Sequence, residues 1–169
     1  LTRLMGISVP LAKVKIKGEK LEAEGPLLIT HWGLSGPSIL KLSAWGARTL
    51  NDMNYNFIVS VNWIEGLKND KFPEEIIHEA KEGYRLQHIH TFCPFHLPNR
   101  LWSYLLEKSG IEEQLQWANL SKKSANKLIH HLTSDEYRVK GKTTFKEEFV
   151  TCGGVNLKEV DFKTMQSLK

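Results

Sequence analysis

Seven histidines and two cysteines are the side chains best able to ligate a metal or move a proton, and four of them crowd into QHIHTFCPFH as His88, His90, Cys93 and His96. A His-x-His pair puts both imidazoles on one face of a strand, and all four residues are zinc-ligand types. Their spacing matches no zinc finger, however, and LPNRL follows directly as a helix start. The expectation is therefore exposed histidines and no metal site. His130 and His131 are adjacent on a predicted helix, so their side chains diverge by about 100° and cannot chelate one ion together.

Two glycine-rich stretches offer a different chemistry. In GPLLITHWGLSGPSILKLS an apolar run stops at His31-Trp32-Gly33 and resumes through Ser35-Gly36-Pro37. Glycines there permit positive φ and the close approach of another backbone or of a ligand. His31 and Ser35 are either reactive groups or turn polarity. In EFVTCGGV an apolar strand ends at Thr151-Cys152 and enters Gly153-Gly154-Val155. Glycines just past a strand end let a flat or phosphorylated ligand approach without meeting a Cβ; an ordinary glycine turn is the alternative.

No Ser-His-Asp order, carboxylate pair, P-loop or strand-borne G-x-G-x-x-G is present. Arg100 in LPNRL can hold an anion or, more commonly for such a position, tie two parts of the chain together. The five tryptophans form no single stripe and are assigned to core and interfaces.

The elements that position these residues change type along the chain. VKIKG alternates Val14 and Ile16 with lysines, KLEAEG alternates again, and PLLIT, SILKLS and NFIVSVNWI add three further strand candidates. In the last of these Phe57, Val59, Val61 and Trp63 share a face. From Pro73 the period becomes helical, with Glu74 and Glu75 in the first turn, Ile76, Ile77 and Ala80 inward and Gly83 as the stop. A second helix starts near Pro98, carries Leu101, Trp102, Leu105 and Leu106, and stops at Gly110. Ile111 to Trp117 reads as a short helical turn. A third helix follows Ser121 as N-cap, with Ala125, Leu128, Ile129 and Leu132 inward. From Tyr137 the chain alternates again, in two runs across Gly141.

The fold class is thus α+β: a small β-barrel, residues 1–64 with 137–155, interrupted by a helical bundle over 65–136, with 156–169 as a flank. With 169 residues, 41% hydrophobic and 25% charged, the chain can build a real core and is not disordered. Lys+Arg number 23 against 19 Asp+Glu, a net charge of +4. Because acids and bases are interleaved, this balance speaks against nucleic acid as a partner. Two cysteines make no disulfide framework, so a reducing, cytoplasmic setting is expected. No apolar run is long enough to span a bilayer. The sequence begins without a methionine, and both ends read as cuts through a longer protein.

Taken in order, GPLLITHWGLSGPSILKLS, LPNRLW and EFVTCGGVNLKEVDFKTMQS resemble segments of a bacterial flavoprotein family, the aminoacetone-oxidase-like or BaiN-like NAD(P)/FAD-dependent oxidoreductases. The resemblance covers nearly the whole chain. It implies a β-barrel and helical insertion within an FAD-binding domain whose glycine turn this sequence lacks. Residues 156–169 would then lead back to that domain. Implied partners are the FAD domain itself and a small-molecule substrate in the intact enzyme, with no membrane. Thr151, Gly153, Gly154 and Val155 would meet FAD, and His31, Gly33, Ser35 and Gly36 would line the substrate side. The resemblance fixes no catalytic residue, and the piece alone is expected to bind no flavin and to be inactive. The other class of reading is a non-enzymatic module that binds protein or nucleic acid through basic turns such as Lys122-Lys123.

Overall fold

The structure is a computed structural model that describes residues 2–67, 71–142 and 154–168. A five-stranded sheet organises it, in the order β3-β2-β1-β4-β5, from β1 (Ser8–Ile16), β2 (Glu22–Ile29), β3 (Leu34–Ser35), β4 (Asn56–Asn62) and β5 (Asp135–Lys140). Every neighbouring pair is antiparallel. The alternation read in the sequence sets the faces. Val14 and Ile16 on β1, Leu27 and Ile29 on β2 and Val59 and Val61 on β4 are buried, while Lys15, Glu24 and Arg138 face outward. Between Val9 and Ala12 the β1–β2 register shifts, a bulge that leaves Leu11 exposed and curls the sheet.

The described strands form a curled, mixed α/β half-barrel, not a closed small barrel. The second alternating run beyond Gly141, which would supply a further strand, lies outside the described residues. One predicted strand is a helix. Residues 38–43, SILKLS, belong to α1 (Pro37–Trp45), followed by α2 (Ala47–Asp52). Proline at the first helical position presets φ for a helix. Leu42 is buried and Ile39 half-buried, one helical turn apart, while Leu40 points to solvent. The apparent alternation of Leu40 with Leu42 was a coincidence of spacing.

The central block is helical as its period dictates: α3 (Pro73–Gly83), α4 (Asn99–Lys108) and α5 (Lys122–Thr133). Ile76, Ile77 and Ala80 of α3, Leu101, Trp102, Leu105 and Leu106 of α4 and Leu128 and Leu132 of α5 are buried. Ser121 caps α5 as expected, its hydroxyl accepting from the Ser124 N–H at 3.1 Å. Gly110, at φ +73°, closes α4: its N–H reaches the Glu107 carbonyl at 3.0 Å and the Ile111 N–H reaches that of Leu106 at 3.0 Å. The expected helical turn over Ile111–Trp117 is instead one turn at Glu112–Leu115, followed by a 3-10 turn at Trp117–Asn119. The reason is pairing: Ile89 donates to the Leu115 carbonyl and Trp117 to that of Gln87, so this backbone runs beside 85–89 and cannot coil on itself. The result is helix, two turns, helix.

Buried Asp135 ties the helices to the sheet. Its carboxylate accepts from the Trp63 indole N–H at 3.1 Å, from the Lys108 ammonium at 2.5 Å and from the Tyr137 hydroxyl. Burial and the adjacent Asp135 charge raise the Tyr137 phenol, which keeps it a donor. His131 Nδ1 lies 3.5 Å from the same carboxylate. Burial lowers the His131 pKa, so its neutral form is favoured.

Residues 160–167 form a small hairpin, β6 (Val160–Asp161) with β7 (Gln166–Ser167). Asp161 organises its turn by accepting from the Lys163 N–H at 2.8 Å and the Thr164 hydroxyl at 3.0 Å.

Candidate functional site

The arm from Thr30 to Trp45 carries all four substrate-side candidates. Thr30 to Gly33 is the tight loop joining β2 to β3. The Thr30 N–H donates to the Gly33 carbonyl at 2.8 Å and the Thr30 hydroxyl to the same oxygen at 3.2 Å. Gly33 has φ +146°, which disfavours any side chain there. This loop holds His31 and Trp32 out in solvent with their ring centroids 3.5 Å apart. Ser35 is half-buried on β3, paired with Leu28. Gly36, φ +101°, has a different task. A Cβ on it would sit 2.8 Å from the Pro26 carbonyl oxygen and 3.2 Å from the Leu28 nitrogen. Fully buried Ser38 donates its hydroxyl to that same Pro26 oxygen at 3.0 Å. The Ser-Gly-Pro-Ser motif therefore seats α1 on the β2 backbone, and its glycine answers to the protein's own main chain.

Of the cofactor candidates, Thr151 and Gly153 lie outside the described residues. Gly154 and Val155 are exposed, and none of the described residues comes within 4 Å of where a Gly154 Cβ would be.

The His88–His96 segment builds the seat of α4. The Trp102 indole donates to the Ile89 carbonyl at 3.0 Å, the Thr91 hydroxyl to that of His88 at 2.7 Å, and Phe95 packs 6.0 Å from Trp102, centroid to centroid. Burial pushes the Cys93 thiol up to about 11, against the pull of the Leu97, Phe95 and His96 backbone N–H groups. Among the described residues no three His, Cys, Asp or Glu side chains converge as a metal set. Arg100 ties two parts of the chain together, donating to the Met5 carbonyl at 3.3 Å and to that of Arg3.

A charged feature stands at the helix–two-turn–helix. The first turn of α5 carries Lys122 and Lys123 and no acid, with exposed Lys127 one turn on. Cations are unfavourable at this positive end of a helix, by about 0.3–1 kcal/mol each. Lys81 of α3 adds a fourth ammonium, donating to the Leu120 carbonyl at 2.8 Å just before the Ser121 cap. The pairing of Lys81 with this turn has no signal in the sequence, 39 residues away. The arrangement suits an anion with several charges, such as a phosphodiester backbone. Among the described residues no helix is long and apolar enough to cross a membrane.

The chain is 29% identical over 171 residues to a protein of Haemophilus influenzae named ribosomal RNA dihydrouridine synthase, an alignment covering 99% of this chain and 38% of that protein. It is 28% identical over 166 residues to an Escherichia coli K12 protein of the same name, covering 98% of this chain and again 38% of the relative. It thus spans about two-fifths of the length of these curated relatives. Residues 1–150 match the family described as the HI0933-like protein barrel and H2TH domain. The match covers most of the chain, and the chain belongs to this family.

Proposed function

We propose that this chain is the substrate-holding part of a longer, flavin-dependent oxidoreductase that reduces uridine in ribosomal RNA. The observation that carries the proposal is the shared name of two relatives that align with nearly the whole chain. The cluster of Lys81, Lys122, Lys123 and Lys127 supports it, since a folded RNA is a polyanion and these lysines sit where a helix end already favours negative charge. The small-molecule substrate implied by the BaiN-like resemblance gives way to RNA in this proposal. So does the sequence-level argument against nucleic acid, because interleaving along the chain does not prevent clustering in space.

Within this proposal the two parts divide the work. The sheet part, 1–64 with 137–155, presents His31, Gly33 and Ser35 toward the reacting base. The helical part, 65–136, grips the RNA backbone. Residues 156–169 return to a flavin domain, against which Thr151, Gly153, Gly154 and Val155 would meet FAD. NAD(P)H is the expected reductant, and the setting is cytoplasmic. The exposed apolar residues of the last stretch, Val155, Leu157, Phe162, Met165 and Leu168, favour a covered position in the longer protein.

The test has two arms. The isolated chain is expected to purify without a flavin absorbance band and to bind a ribosomal RNA fragment with strong salt dependence. The longer protein is expected to convert uridine to dihydrouridine in ribosomal RNA when given FAD and a reduced nicotinamide, with His31→Ala slowing turnover at least tenfold. A longer protein that binds FAD but leaves ribosomal RNA unreduced overturns the proposal.

A further inference from the structure

We infer that the outward face of β1, β4 and β5 is a second RNA contact, one that tracks the sugar–phosphate backbone of a single strand; the inference rests on the ribosomal-RNA reading above. On β5, Arg138 and Lys140 are both exposed and two residues apart, and exposed Lys142 follows the turn at Gly141, φ +98°. A strand rises about 3.3 Å per residue, so Arg138 and Lys140 stand ~6.6 Å apart on one face. That step is comparable to the spacing of successive phosphates on an extended strand. The antiparallel register widens the stripe. Arg138 pairs with Ile58 and Lys140 with Asn56, and Lys17 donates its N–H to the Ile58 carbonyl. Lys15 pairs with Ser60 on the other side of β4.

Some of these cations are paired and others are not. Lys13 is held by Glu22 at 3.5 Å and Glu65 at 3.4 Å, and Lys17 by Glu136 at 2.7 Å. Among the described residues no ion pair engages Lys15, Arg138 or Lys140. Acids share the face on the β1 side: Glu22 on β2 is the register partner of Lys15, and exposed Glu136 on β5 faces Ser60, so the unpaired positive charge is greatest at Arg138 and Lys140. Exposed Ile58 lies between Lys17 and Arg138, and Lys142 sits 4.8 Å from the Tyr55 ring centroid. Apolar and aromatic surface interleaved with cations is what splayed bases need beside a phosphate track.

The site is distinct from the α5 lysines, so the two can be separated. Fluorescent dodecauridylate is titrated into the chain across a salt series. The sheet variant carries Lys15→Glu, Arg138→Glu and Lys140→Glu. The helix variant carries Lys122→Glu and Lys123→Glu. A control carries Lys20→Glu, Lys158→Glu and Lys163→Glu, the same charge change on exposed positions elsewhere. Circular-dichroism melts verify that each variant folds. The sheet variant is expected to lose at least tenfold in affinity and to flatten the log–log salt slope by about 2, since each phosphate contact on a single strand contributes ~0.7. The control is expected to lose less than threefold with its slope unchanged. Should the sheet variant match the control while the helix variant loses binding, the inference falls and the RNA reading stands. Absence of binding by the unaltered chain to both this probe and a ribosomal RNA fragment sinks the RNA reading itself. Equal loss in sheet variant and control assigns the effect to net charge and also overturns the inference.

Discussion

Gly36 and Gly154 each belong to a glycine-bearing segment that follows an apolar run, and their surroundings are opposite. Around Gly36 the space a side chain would need is taken by the β2 backbone, with the Pro26 oxygen 2.8 Å from the Cβ position. Around Gly154 none of the described residues fills that space, and its neighbours Val155 and Leu157 are exposed. A glycine records that something comes close, or that φ is positive. It does not record whether the neighbour is the chain's own backbone, a cofactor or another domain.

The largest effect expected from this contrast is Gly36→Val. The substitution combines a strained φ of +101° with a backbone collision that no flexible side chain can relieve. We expect a loss of about 3 kcal/mol or more, seen as a melting temperature lower by roughly 6–12 °C. A loss below about 1 kcal/mol would show that α1 lifts off β2 cheaply and that the glycine is free for another purpose. Ser38→Ala tests the same seat more gently. It removes one buried hydroxyl–carbonyl bond, and a cost of about 1–2 kcal/mol is expected from denaturant unfolding. Because Gly36 and Ser38 share the Pro26 oxygen, the double variant should depart from additivity by at least about 0.5 kcal/mol.

The opposite end of the scale is the C-terminal stretch. Phe162→Ser alters a residue that is 65% exposed, and the melting of this chain should move by no more than about 0.5 kcal/mol in stability. In the longer protein we expect the same change to destabilise or loosen that region measurably by hydrogen exchange. Gly154→Val is the smallest expected effect here: no collision with the described residues and no positive φ oppose it. Its effect belongs to the longer protein, where FAD affinity should fall at least tenfold, about 1.4 kcal/mol. A stable fragment and unchanged flavin affinity together would remove Gly154 from the cofactor surface.

The helical half was the more legible part of the sequence, because each of α3, α4 and α5 is amphipathic and carries its own stop or start. Ile76, Leu105 and Leu132 are buried where the 3.6-residue period places them. The β half was legible where alternation ran long, as in β1 and β4, and misleading where it was short. SILKLS satisfies both periods over six residues, and Pro37 at the helix start together with docking to β2 through Gly36 and Ser38 selects the helix. His88 to His96 has ligand residue types at the wrong spacing, which predicts exposed histidines, yet only His96 is exposed, while His88 and His90 are half-buried. Its backbone is in fact occupied in seating Trp102 and pairing with 115–117.

What the sequence determined by itself is local: the strand faces set by alternation, the helices set by their apolar stripes, the Ser121 cap and the Gly110 stop. These follow from interactions between residues a few positions apart, which any reader of the chain can evaluate. What only the tertiary structure decided is which distant groups share a surface. Asp135 gathers Trp63, Lys108 and Tyr137, Lys81 joins the first turn of α5, and Lys15 comes beside β5 by way of β4. Strand register and helix docking make those encounters by burying apolar faces, and the polar side chains on the opposite faces are carried to positions that their own spacing does not predict.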